Sequence, residues 1–291
     1  MDNPGRFTDF ISQLSSVQST VRSPRCKTMK QIVPMAEFTN IVDSHPVAKA
    51  VINRHLVVQD LSSFRKYIED AFESVRSDNS GNITTYIPGL STYDANKWSV
   101  SFCSTDGQIV SLGDCDDTFT MQSVTKPIMY GITCDLIGSA EVHKYVGKAP
   151  SGFGFNKIVL GRGDIPHNPL INIGAITVAS LIHPDLPISE RFNTCYSKYK
   201  AMGAGFSPSN MSFNNVVFLS EKQNGHRNYA IGHYLLNKGC INAASTSNLM
   251  EILELYFQMC SIEVDTGTAA IMGATLANGG KNVFTGNIVM L

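Results

Sequence analysis

No stretch of this 291-residue sequence approaches the ~20 consecutive apolar residues of a membrane-spanning helix, so no membrane span is expected. Positive charge is not in excess either: 23 Lys and Arg face 24 Asp and Glu, for a formal net charge of -1. A polyanionic partner requires a concentrated basic surface, and nucleic acid is therefore set aside. The seven cysteines, Cys26, Cys103, Cys115, Cys134, Cys195, Cys240 and Cys260, are odd in number and contain no CxxC pair. Zinc ribbons and redox dithiols have no footing in that spacing, and reduced thiols in an intracellular compartment are the expectation. Internal repeats and low-complexity tracts are also missing.

What is present is a 43% hydrophobic chain, enough for a large core in one main domain with a smaller appendage. In the first thirty residues Arg6, Arg22, Arg25, Lys27 and Lys30 mingle with serines against only Asp2 and Asp9. That bias suits a mitochondrial transit segment or a surface helix. From residue 7 to about 72 the apolar pattern is helical, with Phe64, Tyr67, Ile68 and Phe72 recurring three and four apart. The division expected is a helical region over 1–60 and a main domain over 61–291. Asp78, Asn79, Ser80 and Gly81 mark a loop. Residues 98–102 and 108–112 alternate with period two around Asp106-Gly107, which predicts a β-hairpin. An apolar helix is expected from Ser123 to Gly138, and further helices over 175–182, 228–236, 248–259 and 266–276, the last stopped by Asn278-Gly279-Gly280.

Ser123-Val124-Thr125-Lys126 sets a hydroxyl and an amine three residues apart, on one face of a helix. A serine hydroxyl is a weak nucleophile until a base takes its proton, and a lysine is such a base only when its surroundings lower its pKa. A helix N-terminus inside a cleft supplies those surroundings and also favours the anion formed when an amide carbonyl is attacked. Pro127 suits a first helical turn. The same spacing at Ser63/Lys66 and Ser197/Lys200 lies among polar neighbours and reads as surface helix.

The run Met121-Gln122-Ser123-Val124-Thr125-Lys126-Pro127 closely resembles the nucleophile segment of the kidney-type and liver-type glutaminases of animals. Colinear blocks extend the resemblance over nearly everything after residue 60, among them Tyr86-Ile87-Pro88, Tyr145-Val146-Gly147-Lys148, Pro166-His167-Asn168-Pro169, Gly174-Ala175-Ile176, Arg227-Asn228, Tyr256-Phe257-Gln258 and Cys260-Ser261-Ile262-Glu263-Val264. The resemblance implies an α+β fold like the serine β-lactamases and penicillin-binding proteins, mostly helical with an antiparallel sheet. It implies hydrolysis of L-glutamine to glutamate and ammonia, with Ser123 as nucleophile, Lys126 as its base and Tyr256 as a proton-shuttling phenol. Tyr86, Gln122, Asn172, Glu221 and Asn228 would hold the amino-acid end of the substrate, beside Ser123 and Tyr256. No cofactor is implied, only phosphate as an activator, together with a homotetramer and a mitochondrial location, otherwise cytoplasmic.

Chemistry supports these roles: Glu221 offers charge to an ammonium, and Asn172 and Asn228 offer directional amide hydrogen bonds to a carboxylate. On pattern alone Glu221 beside Lys222 reads as a solvated pair, Asn228 as a helix cap, and Tyr86 and Tyr256 as core aromatics. His167 reads as part of a structured loop, for want of a partner at metal-ligand spacing. Residues 152–157 correspond to the family's gating loop, with Gly154 where the animal enzymes have a basic residue.

Beyond Leu291 the family has a further substrate-binding tyrosine and a glycine-rich strand, so the catalytic domain is expected to be incomplete, its hairpin to have an open edge and an exposed apolar face, and the chain to have little activity alone. Two other readings stand beside this one. The first is a non-catalytic subunit that modulates full-length enzyme. The second is a β-lactam-recognising acyltransferase, for which Ser212-Phe213-Asn214 is an S-x-N match in no supporting context and no K-[ST]-G is present.

Overall fold

The computed structural model of the chain describes residues 12–14, 16, 19–21, 30–53, 56–152, 157–205, 211–241 and 246–290. Much of the basic N-terminal segment, including Arg6, Arg22, Arg25 and Lys27, lies outside them, as do residues 153–156 of the gating-loop match.

Near the N-terminus, β1 (Ser19–Val21) pairs antiparallel with β2 (Lys30–Ile32). This corrects the wholly helical reading of the first sixty residues, because three-residue strands are too short for period-two alternation to show. Helices α1 (Met35–Ser44) and α2 (Pro46–Ile52) follow, the second opened by Pro46, whose fixed φ suits a first turn. Helix α3 (Leu61–Val75) begins where the Asp60 carboxylate accepts the Ser63 N–H at 3.0 Å and the Ser63 hydroxyl at 2.6 Å. These bonds hold the Asp60 carboxyl down at about 2.

The expected hairpin forms as β3 (Ser99–Cys103) and β4 (Ile109–Gly113), with Ser101 opposite Ser111 and Gly107 turning at φ 81°. Successive strand residues face opposite sides. On one side Phe102 meets Phe64 of α3 edge-on, with ring centroids 4.8 Å apart. On the other side the Ser101 hydroxyl bonds that of Thr266 at 3.0 Å. Each face of the hairpin thus meets a neighbour, while Tyr67 and Trp98 remain exposed around the apolar hollow beside Val100, and among the described residues β3 and β4 pair only with each other.

A third sheet was not legible either. β5 (Phe119–Thr120) leads through a 3₁₀ turn (Gln122–Val124) into α4 (Thr125–Ile137), which Gly138 ends at φ 82°. Short α5 (Ser139–Val142) and then α6 (Asn172–Ser180) follow. Every residue of α6 after Asn172 is buried, as expected of a helix that is apolar all round. Arg191 of α7 (Ile188–Met202) donates to the carbonyls of Ala179 and Ile182, satisfying the C-terminal end of α6. β6 (Ser212–Phe213), α8 (Asn215–Asn224), α9 (His226–Asn237), α10 (Thr246–Cys260), β7 (Ile262–Val264) and α11 (Thr266–Ala277) complete the order. β7 is the middle strand between β5 and β6, both antiparallel to it. The core gathers Met129 and Ile132 of α4, Ile173 and Ile176 of α6, Ile231 of α9 and Leu253 and Phe257 of α10 around α6. No helix of the described residues is long and apolar enough to cross a membrane.

Candidate active site

The site is built where β5 hands over to α4. The Met121 N–H donates to the Ile262 carbonyl at 2.8 Å, tying the chain to the central strand β7. The next residue, Gln122, has φ 46°, a left-handed conformation uncommon for a residue with a side chain. Such backbone persists where the surroundings hold it, and it clusters at functional sites. Ser123 follows in the 3₁₀ turn, exposed at the head of α4, and Lys126 lies one turn on with only 3% of its surface exposed. Lys126 Nζ and Ser123 Oγ are hydrogen-bonded at 2.6 Å. The rival pairs have no such geometry. Ser63 is spent on the Asp60 cap, and Lys200 lies over the Tyr196 ring at 4.5 Å, beside an exposed Ser197.

Ser123 opens into a cleft of about 500 Å³. Tyr86, Gln122, Asn172, Glu221, Asn228 and Tyr256 all line it, so the structure brings together every residue singled out for substrate, with Lys126 directly behind Ser123. They come from distant parts of the chain. Tyr86 precedes the 3₁₀ turn Pro88–Leu90, Asn172 opens α6, Glu221 sits in α8, Asn228 in the first turn of α9 and Tyr256 in α10.

Three pattern-based defaults are overturned. Glu221 is 1% exposed and is no solvated pair, since Lys222 instead meets Glu254 at 3.2 Å. Asn228 caps nothing: Gly225 is the N-cap of α9, and Asn228 accepts from the Asn172 side-chain amide at 3.3 Å. Tyr86 is half exposed rather than a core ring, and its hydroxyl lies within hydrogen-bond reach of Gln122 Oε1, at 2.7 Å, and of Glu221 Oε1, with one proton to give between them. Tyr256 is buried, as expected of a core aromatic, yet it reaches the cleft.

Burial dominates the electrostatics. It pulls the Lys126 ammonium below the usual lysine range, opposed by nearby Cys260 and Glu221. It pushes the Glu221 carboxyl up, opposed by the Tyr86 hydroxyl and by Lys126. The Tyr256 phenol and the Cys260 thiol are both driven up by burial, and they share a hydrogen bond one helical turn apart. Glu221 Oε2 and Gln122 Nε2 are buried and have no hydrogen-bond partner. Buried polar atoms are normally satisfied, so these two orphans in one cleft are candidate contacts for a polar ligand.

Sequence reasoning missed Thr84, Leu90, Asn224, Gly225, Arg227 and Cys260, which also line the cleft. Cys260 was within reach, since it lies four residues after Tyr256 on one helix face. Arg227 is the neighbour of Asn228 and is the cation at the rim. Thr84 and Leu90 carry no local signal. His167 lies in a loop with its ring against Gly161, and its Nδ1 is buried without a partner. Among the described residues no group of three His, Cys, Asp or Glu is placed to hold a metal ion, and the six described cysteines are free.

Comparison with known proteins now bears on this geometry. Residues 81–291 match the family model described as Glutaminase. The chain is 40% identical over 98% of its length to the mouse protein "Glutaminase liver isoform, mitochondrial", of which it covers 48%. It is 41% identical over 84% of its length to "Putative glutaminase 3" of Caenorhabditis elegans, of which it covers 41%. It thus spans less than half the length of these relatives. Among solved structures, "Probable glutaminase ybaS" superposes with a TM-score of 0.72 at 28% identity, covering 79% of this chain and 72% of that one. A Bacillus glutaminase superposes with a TM-score of 0.66 at 27% identity, over 78% of this chain and 70% of that one. The fold is therefore the serine β-lactamase and penicillin-binding-protein-like fold of the solved glutaminases, mostly helical with small antiparallel sheets. With a matched model over most of its length and a hydroxyl, an amine and a buried carboxylate around one cleft, the chain belongs to the glutaminase family.

Proposed function

We propose that the chain hydrolyses the side-chain amide of L-glutamine through an acyl-enzyme on Ser123. The observation that carries this reading is the buried Lys126 amine 2.6 Å from the Ser123 hydroxyl, at the head of α4 and open to the cleft. Lys126, neutral, takes the Ser123 proton as Oγ attacks the amide carbon. The developing oxyanion is favoured by the N–H groups at the start of α4. As the C–N bond breaks, the proton passes to the leaving nitrogen, with the Tyr256 hydroxyl as relay, and ammonia departs. Water, deprotonated by the same base, then attacks the ester and returns glutamate and the Ser123 hydroxyl.

At the other end of the substrate, the ammonium is held by Glu221 through its unpartnered Oε2, while Gln122 Nε2, a donor, faces the carboxylate. The Asn172 and Asn228 amides serve the carboxylate. Similarity to the mouse and rat liver isoforms, described as mitochondrial, extends the proposal to that compartment. Phosphate as activator and a homotetramer are proposed on family resemblance, with co-assembly onto longer relatives as the alternative role of a chain less than half their length. The test is ammonia release from glutamine by the purified chain, with and without phosphate, beside Ser123→Ala. Release that depends on Ser123 supports the reading, and release that survives the substitution refutes it.

A further inference from the structure

Among the described residues, three that carry side chains have positive φ: Gln122 at 46°, Asp164 at 56° and His183 at 41°. Asp and His are among the few types that adopt this left-handed backbone with some ease, and neither Asp164 nor His183 lines the cleft. Glutamine lacks that ease, and Gln122 does line the cleft, immediately before Ser123. On both sides of it the backbone is right-handed and anchored. Met121, at φ -63° and ψ -29°, is buried, and its N–H is held by the Ile262 carbonyl of β7 at 2.8 Å. Val124 and Thr125 both have φ -63°, with ψ -23° and -28°, and lead into α4, whose Met129 and Ile132 are wholly buried in the core. The Val124 N–H returns to the Met121 carbonyl at 2.9 Å and closes the turn, and the buried Tyr199 hydroxyl of α7 bonds that of Thr125. One reversed residue thus joins two fixed segments. Turning Gln122 to right-handed backbone would rotate everything after it relative to everything before it, and Ser123 comes first.

We infer that Gln122 is a positioning residue for Ser123: its left-handed backbone, apart from its side chain, sets the Ser123 hydroxyl 2.6 Å from Lys126 and open to the cleft. The inference rests on the proposed Ser123 mechanism and gives Gln122 a second task within it. The two tasks are separable. The side chain works at the substrate end, with Oε1 2.7 Å from the Tyr86 hydroxyl and Nε2 buried and unpartnered, so its loss falls on KM. The backbone works on Ser123, so a change there falls on kcat. Strained backbone persists only where its surroundings hold it, and a reacting group displaced by about 1 Å loses roughly 10²-fold in rate.

The test compares Gln122→Gly, Gln122→Asn, Gln122→Ala and Gln122→Val in ammonia release and in thermal unfolding. Glycine adopts positive φ freely, asparagine with some ease, alanine at a cost, and β-branched valine least of all. The inference expects kcat to follow that order, with the Gly and Asn variants within about threefold of the wild-type chain and the Val variant lower by about tenfold to a hundredfold. KM should instead rise alike in the Gly, Ala and Val variants, which all lack the amide. The unfolding midpoint of Gln122→Gly should lie at or above that of Gln122→Ala, the reverse of the ordinary order, and this reading stands even where Gln122→Val does not fold. A kcat that is equal across the series, or an Ala variant both faster and more stable than the Gly variant, overturns the inference and leaves the Ser123 mechanism intact. Undiminished turnover by Ser123→Ala would instead sink the mechanism on which it rests.

Discussion

Replacing Tyr86 with Phe removes one oxygen and tests the substrate end of the site. Its hydroxyl is within hydrogen-bond reach of Glu221 and, at 2.7 Å, of Gln122 Oε1, the two residues with orphaned atoms in the cleft. The ring is 54% exposed, so little packing depends on it and the fold should be kept. A hydrogen bond to a charged group contributes about 1.5–3 kcal/mol, which corresponds to roughly tenfold to a hundredfold in kcat/KM. The effect should fall mainly on KM, since the contact orients the binding carboxylate rather than Ser123. The sign of the pH effect also follows. The Tyr86 bond lowers the Glu221 pKa against burial, so its loss lets that carboxyl rise further. The acid limb of glutamine binding should therefore move to higher pH. The assay is ammonia release across a pH series, with thermal unfolding as the control for folding. A variant with an intact fold, unchanged kcat/KM and an unmoved acid limb would refute the reasoning.

The remaining predictions concern the base, its pH dependence and the frame around it. Lys126→Arg should cost turnover by a factor of about 10²–10⁴, because a guanidinium stays protonated and cannot serve as base; near-normal kcat in this variant would remove Lys126 from the mechanism. In the wild-type chain, activity should rise as pH increases through the Lys126 pKa, and burial places that limb below the usual lysine range, as a kcat pH profile would show. Gly174→Ala should destabilise by about 2–3 kcal/mol or more in chemical denaturation, because the new Cβ would lie 1.9 Å from the Asn168 carbonyl oxygen, a backbone atom that no rotamer change can move. Tyr199→Phe removes a fully buried hydroxyl that bonds Thr125 at the start of α4 and should cost about 1–3 kcal/mol on the same assay.

The proposed nucleophile and base were readable because their relation is local: three residues apart at a helix start is a property of the chain, and α4 realises it as a 2.6 Å contact. The hairpin was readable for a similar reason, since two five-residue strands are long enough to show alternation. Glu221 was not readable from pattern. Its burial comes from α8 packing on the Pro88–Leu90 turn, where the Gly89 N–H donates to the Ser220 hydroxyl at 2.9 Å across 131 residues of sequence. Only the family resemblance singled it out. The β5-β7-β6 sheet escaped because its strands are two or three residues long, yet it fixes Met121 and so aims Ser123. Cys260 escaped because cysteines were weighed by mutual spacing, while its place was set by its register with Tyr256.

The most direct test is to quench the wild-type chain with acid during glutamine turnover and map covalent adducts by mass spectrometry. The account predicts a γ-glutamyl ester on the peptide carrying Ser123, present during turnover and absent from Ser123→Ala. Turnover with no adduct on Ser123, or an adduct on another residue that persists in the variant, would contradict it.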